Sequence, residues 1–110
     1  MNFQHRQLAG GRWQELTFLE QMANVGSEIE RTIIWRNKGN AGTSRRAYDR
    51  ALELLDMTIS DKRNKKRLKE LARLRESLND YFIFENSYNS TDKNWRKYFF
   101  HFNFAVRIRT

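Results

Sequence analysis

Apolar residues recur every three or four positions over most of the chain, the period of a helix with one buried face. From Trp13 to Lys38 the stripe is Leu19, Met22, Gly26, Ile29 and Ile33, widened by Leu16 and Val25. Gly39 and Asn40 follow where a helix C-terminal cap belongs, and NKGNAGTS is the clearest loop in the chain. A second helix is predicted from Thr43 or Ser44, either of which can cap exposed N–H groups. Ala47, Ala51, Leu54 and Thr58 make one face of it, and Tyr48, Leu52, Leu55 and Ile59 the neighbouring face. A face that wide predicts a helix flanked on two sides.

Ser60-Asp61 offers the next N-cap. A third helix is predicted to run to about Phe84, with Leu68, Leu71, Leu74, Leu78 and Phe82 inward. Almost no linker separates it from the second, which predicts an antiparallel hairpin. Residues 85–92, ENSYNSTD, read as a polar loop ending in cap residues. From about Thr91 two periods compete. Trp95, Phe99, Phe102 and Val106 have helical spacing, whereas Phe100, Phe102, Phe104, Val106 and Ile108 alternate with more polar neighbours as a strand would. A lone strand would have no partner, so a helix is the better expectation. Some of Phe100, Phe104 and Ile108 would then stay exposed on a monomer, and a patch of that kind predicts contact with another subunit.

These elements predict an all-α chain: an antiparallel up-down four-helix bundle over residues 12–110, preceded by a loose arm over residues 1–11 that ends in Gly10-Gly11. With 110 residues there is room for one core. Eight Phe, four Tyr and three Trp exclude a disordered tail. The absence of cysteine excludes a disulfide scaffold and thiol chemistry, and with two histidines also a standard structural zinc site. No metal and no cofactor are expected. No apolar run approaches the roughly 20 residues of a membrane-spanning helix. The first twelve residues lack the apolar stretch of a secretory leader, so a cytoplasmic location is the expectation.

Charge changes the picture further. The chain carries +8, and it is blocked rather than sprinkled. Residues 31–50 sum to +5, residues 61–75 to +6 and residues 93–110 to +5, while residues 76–92 sum to −4. Up-down threading gathers these blocks at two ends. Arg31, Arg36, Lys38, Arg45, Arg46 and Arg50 fall at one, joined by Lys93, Arg96 and Lys97 from the start of the fourth helix. Lys62, Arg63, Lys65, Lys66, Arg67 and Lys69 fall at the other, with Arg107 and Arg109. Cations in the first turn of the third helix would oppose its dipole, so folding alone gives no reason to collect them there. A phosphate chain does, because each contact releases a counterion. The expected partner is therefore RNA or DNA held by its backbone, through Arg36, Lys38, Arg45, Arg46, Arg50, Lys62, Arg63, Lys65, Lys66, Arg67 and Lys69. The competing readings are an acidic protein or membrane surface as partner, and a solvated face that keeps the protein soluble. No zinc-finger spacing, RNP-type strand motif or helix-turn-helix marks base readout. Tyr88 could stack on a base, though packing on the bundle is the better expectation.

Catalytic arrangements are sparse. Arg96 and His101 fit an Arg-x4-His pattern that resembles the motif of HEPN-domain ribonucleases, dimeric four-helix proteins. There the histidine would serve as general acid or base toward a ribose hydroxyl and the arginine would bind phosphate. Lys97 stands where those enzymes usually carry a polar residue such as Asn, and helical residues five apart point about 140° from each other. Gly26 in mid-helix costs about 1 kcal/mol relative to Ala, which close approach of another helix would offset. Glu28 beside it is placed to pair with an arginine of the second or third helix. Glu53 and Asp56 share a face, but two carboxylates do not make a metal site. NKGNAG lacks the spacing of a phosphate-binding loop.

The basic four-helix pattern of residues 13–108, with its charge blocks at 31–50 and 61–75, resembles the bacterial four-helix-bundle group. That group contains the intervening-sequence proteins of large ribosomal RNA genes and the accessory variability determinants of diversity-generating retroelements. The resemblance implies a ring-like homo-oligomer, a pentamer, and a reverse transcriptase as partner. Together these readings predict a non-enzymatic accessory protein that holds RNA or RNA–DNA for a partner enzyme. The alternative is a metal-independent HEPN-like ribonuclease toxin using Arg96 and His101.

Overall fold

A computed structural model describes residues 11–109, and the expected arm at residues 1–11 lies outside it except for Gly11. Four α-helices follow a short 3₁₀ turn at Arg12–Glu15: α1 (Phe18–Asn37), α2 (Ala41–Ser60), α3 (Leu68–Phe82) and α4 (Asp92–Arg109). A second 3₁₀ segment, Lys62–Arg67, joins α2 to α3. The described residues contain no strand, so the fold is the expected all-α four-helix bundle. α1 lies between α2 and α4, and α3 packs on α2. Side chains close the remaining gap: the Tyr81 phenol donates to Asp92 Oδ1 at 2.5 Å, and Asn37 Nδ2 donates to Asp92 Oδ2 at 3.2 Å. The ends of α1 and α3 therefore meet the start of α4, which fixes the up-down order. Burial and the bond to Asp92 push that phenol up to about 12.

Boundaries differ from the sequence expectation where side-chain caps intervene. The first helix does not begin at Trp13. Thr17 and Glu20 form a reciprocal capping box that starts α1 at Phe18, and Trp13 is buried in the separate turn before it. Asn40 caps α2 by accepting the Thr43 N–H, so the helix begins two residues before Thr43. Ser44, expected as a possible cap, instead donates to the Thr32 carbonyl and ties α2 to α1. Asp61 caps the 3₁₀ segment rather than an α-helix, and α3 starts only at Leu68 and ends at Phe82. Leu68, expected inward, is exposed because the 3₁₀ segment shifts its register.

The core gathers Trp13, Met22, Val25, Ile29, Ile33, Tyr48, Leu54, Leu55, Leu71, Leu74, Leu78, Trp95 and Phe99. Gly26 lies where α4 approaches α1, and a Cβ added there would stand 2.9 Å from the Phe99 Cβ. That contact explains a glycine in mid-helix and identifies α4 as the approaching helix. It also settles the competing periods of the last segment. Trp95 and Phe99 are buried, whereas Phe100, Phe104 and Ile108 face outward.

Candidate nucleic-acid interface

The cationic 3₁₀ segment rests on a closed network of buried polar groups. Trp13 Nε1 donates to Thr58 Oγ1 at 3.1 Å. The fully buried Gln21 donates to the Trp13 carbonyl at 3.0 Å and to Asp61 Oδ2 at 2.9 Å. Asn64 donates to Gln21 Oε1 at 3.0 Å and to the Thr58 carbonyl at 2.9 Å. Asp61 also accepts the Arg63 backbone N–H at 3.0 Å and its guanidinium at 2.6 Å. Buried polar networks fix one arrangement when each member is satisfied. The Arg63 guanidinium, helped by Gln21, holds the Asp61 carboxyl well below the usual carboxylate range despite its burial.

This anchoring divides the basic residues into two kinds. Arg63 turns inward, bridging Asp61 and the Leu16 carbonyl at 2.7 Å. Arg67 sits over the Phe18 ring at 4.2 Å. Lys62, Lys65, Lys66 and Lys69 are exposed, and among the described residues none of them makes an ion pair. Lys62, Lys65 and Lys66 project into solvent from the anchored 3₁₀ segment, and Lys69 from the first turn of α3.

The other basic end is internally engaged. Arg50 reaches Glu28 Oε2 at 2.9 Å, and Arg31 binds the other oxygen of the same buried carboxylate. This is the expected pairing of Glu28 with an arginine of the second helix. Arg45 pairs with Asp49 at 3.0 Å, and Arg46 donates to Thr43 Oγ1 at 3.0 Å. Arg36 lies over Tyr81 and Phe82 at 5.1 and 5.6 Å, and Lys38 over Trp35 at 5.0 Å. Each of the six ion pairs between described residues is made by an arginine. The planar fork of arginine suits carboxylates and rings, while the ammonium of lysine stays hydrated. The sequence reading treated the two residue types alike, and it overlooked Gln21 and Asn64, whose network has no signature in the helical pattern.

Candidate catalytic groups stay apart. Arg96 Nε lies 3.1 and 3.0 Å from the two oxygens of Glu30, at the mouth of a groove between α1 and α4. That groove of about 270 Å³ is lined by Gly26, Trp95, Phe99, Phe100 and Asn103 among others, and His101 is not part of it. Asp56 is occupied by Arg75 at 2.8 Å. The Tyr88 ring does not pack into the bundle; it is 57% exposed, with its hydroxyl donating to Glu76 at 2.9 Å. Among the described residues no helix is long and apolar enough to cross a membrane. No family model, curated protein or solved structure matches this chain.

Proposed function

We propose that this protein is a self-associating accessory protein that holds RNA or RNA–DNA by its phosphate backbone for a partner enzyme. The resemblance drawn from the sequence points to a reverse transcriptase as that enzyme and to a ring of five chains. One observation carries the reading: four exposed lysines have no carboxylate partner among the described residues, Lys62, Lys65 and Lys66 on a segment fixed by buried hydrogen bonds and Lys69 in the first turn of the helix that follows it. A solvated face needs no such base. A phosphate-binding surface benefits from one, since cations held in place lose less freedom on binding. The exposed Phe100, Phe104 and Ile108 supply the surface for self-association.

The test is titration of single-stranded RNA and duplex DNA across salt concentrations. Replacing Lys62, Lys65, Lys66 and Lys69 together by Gln is expected to weaken binding about 30-fold or more at ~50 mM salt, alike on all sequences. It should also flatten the slope of log affinity on log salt by roughly 0.7–0.9 per contact removed. An unchanged slope, or no binding by the unaltered protein at that salt, overturns the reading. Metal-free incubation with RNA bears on the ribonuclease alternative: cleavage lost in His101→Ala would replace the accessory role with a catalytic one.

A further inference from the structure

The outward face of α4 combines apolar and cationic side chains. Lys93, Lys97, Phe100, His101, Phe104 and Ile108 fall within an arc of roughly 100° at 100° per residue. Phe100, Phe104 and Ile108 are 57%, 53% and 68% exposed, and the two phenylalanine rings stack with centroids 6.0 Å apart. Beyond Asp92 this helix contains no acidic residue. Two such faces packed in the same direction would set Lys93 and Lys97 against their own copies, which costs affinity.

A second exposed aromatic group has the opposite sign. At the end of α3, Phe84 and Tyr88 are 71% and 57% exposed. They flank a groove of about 410 Å³ that also contains Glu76 and Asp80, with Glu85 exposed beside it. This segment is preformed. Asp80 accepts the N–H groups of Ser87 and Tyr88 at 2.7 and 3.0 Å, and the Tyr88 hydroxyl is bound to Glu76. An acidic groove walled by aromatic rings is complementary in charge and polarity to a helix face of lysines and phenylalanines.

We infer that the α4 stripe of one copy docks into the acidic aromatic groove of the next. The contact is head-to-tail, joining two different surfaces, so it propagates into a ring or a filament rather than stopping at a two-fold dimer. The inference rests on the self-association in the proposed function and specifies its geometry. It also covers the acidic end of α3 while leaving Lys62, Lys65 and Lys66 before the start of that helix, more than about 12 Å along its axis from Glu76.

Complementation tests it. Protein freed of nucleic acid is followed by sedimentation at ~50 mM salt. Three forms are compared: unaltered, Phe104→Glu on the stripe, and Phe84→Ser with Glu85→Lys on the groove. The unaltered chain is expected to sediment as three or more copies, losing assembly as salt rises, and each variant as a monomer. Mixing the two variants should give a dimer that grows no further, because one intact stripe and one intact groove remain. That dimer also shows that both variants are folded. Assembly of the groove variant like the unaltered chain, or a mixture that stays monomeric, overturns the inference. So does an unaltered chain that is monomeric at about 100 µM. RNA titration of the same samples separates the two readings. An unaltered chain that stays monomeric yet binds RNA ends the docking mode alone, whereas the expected assembly without RNA binding supports docking and ends the nucleic-acid reading.

Discussion

The two basic ends of this bundle are similar in charge and opposite in use. Where α1 meets α2, arginines dominate, and most are spent on Glu28, Asp49 or aromatic rings. Where α2 meets α3, lysines dominate, and among the described residues Lys62, Lys65, Lys66 and Lys69 reach no carboxylate. Only Arg63 and Arg67, the arginines of that segment, fold back onto the protein. Net charge per segment therefore overstates what a surface offers a partner. A guanidinium finds internal partners and becomes part of the architecture; a lysine ammonium, costly to dehydrate, remains available.

Perturbing the arginine end should break stability and leave binding. Glu28→Ala is expected to cost about 2–4 kcal/mol, because it strands the partly buried Arg50 without its carboxylate. Urea unfolding measures this, and RNA affinity of the folded protein should hold within about twofold. A large loss of affinity would mean that the arginine end is a binding surface after all. This is the mirror of the lysine replacements, which should lower affinity while moving stability by less than about 0.5 kcal/mol.

A steric lesion without charge sharpens the contrast. Gly26→Ala drives a Cβ into Phe99, and the overpacking cost exceeds the helix-propensity gain, leaving a net loss of about 1–2 kcal/mol. Thermal unfolding checks this, and unchanged RNA affinity would show that destabilisation by itself does not mimic the lysine effect.

The smallest expected effect lies beneath the lysine segment. Asp61→Asn should cost about 1 kcal/mol at neutral pH, limited by the half-exposed Arg63 partner. Because the folded carboxyl titrates below its ordinary 3.8, its contribution is complete above about pH 4 and is lost as the pH falls further. The unaltered and Asn proteins should therefore converge in stability on acidification. A constant gap down to about pH 2 would contradict the ion-pair assignment.

Particular residues mark how far the sequence could be read. The stripe Met22, Ile29 and Ile33 gave the buried face of α1 directly, and the glycine at 26 announced a close helix contact before its partner was known. Helix starts were less legible. Thr17-x-x-Glu20 is a capping box visible in the sequence, yet the apolar stripe running back through Leu16 to Trp13 masked it. The polar network was not legible, since Gln21 and Asn64 look like ordinary surface positions until Trp13 and Asp61 arrive beside them.

Sequence alone determined the first three helices and their order, because a 3.6-residue period and short connections leave little choice. The last segment, where strand and helix periods compete, was settled as a helix with Phe100, Phe104 and Ile108 outside the core only by the contact of Phe99 with Gly26. Which cations are spent and which are free was decided only by the fold. Arg50 meets Glu28 across 22 positions, Arg75 meets Asp56 across 19 and Arg96 meets Glu30 across 66. An ion pair needs approach within about 4 Å, and separations that long along the chain close only when helices pack.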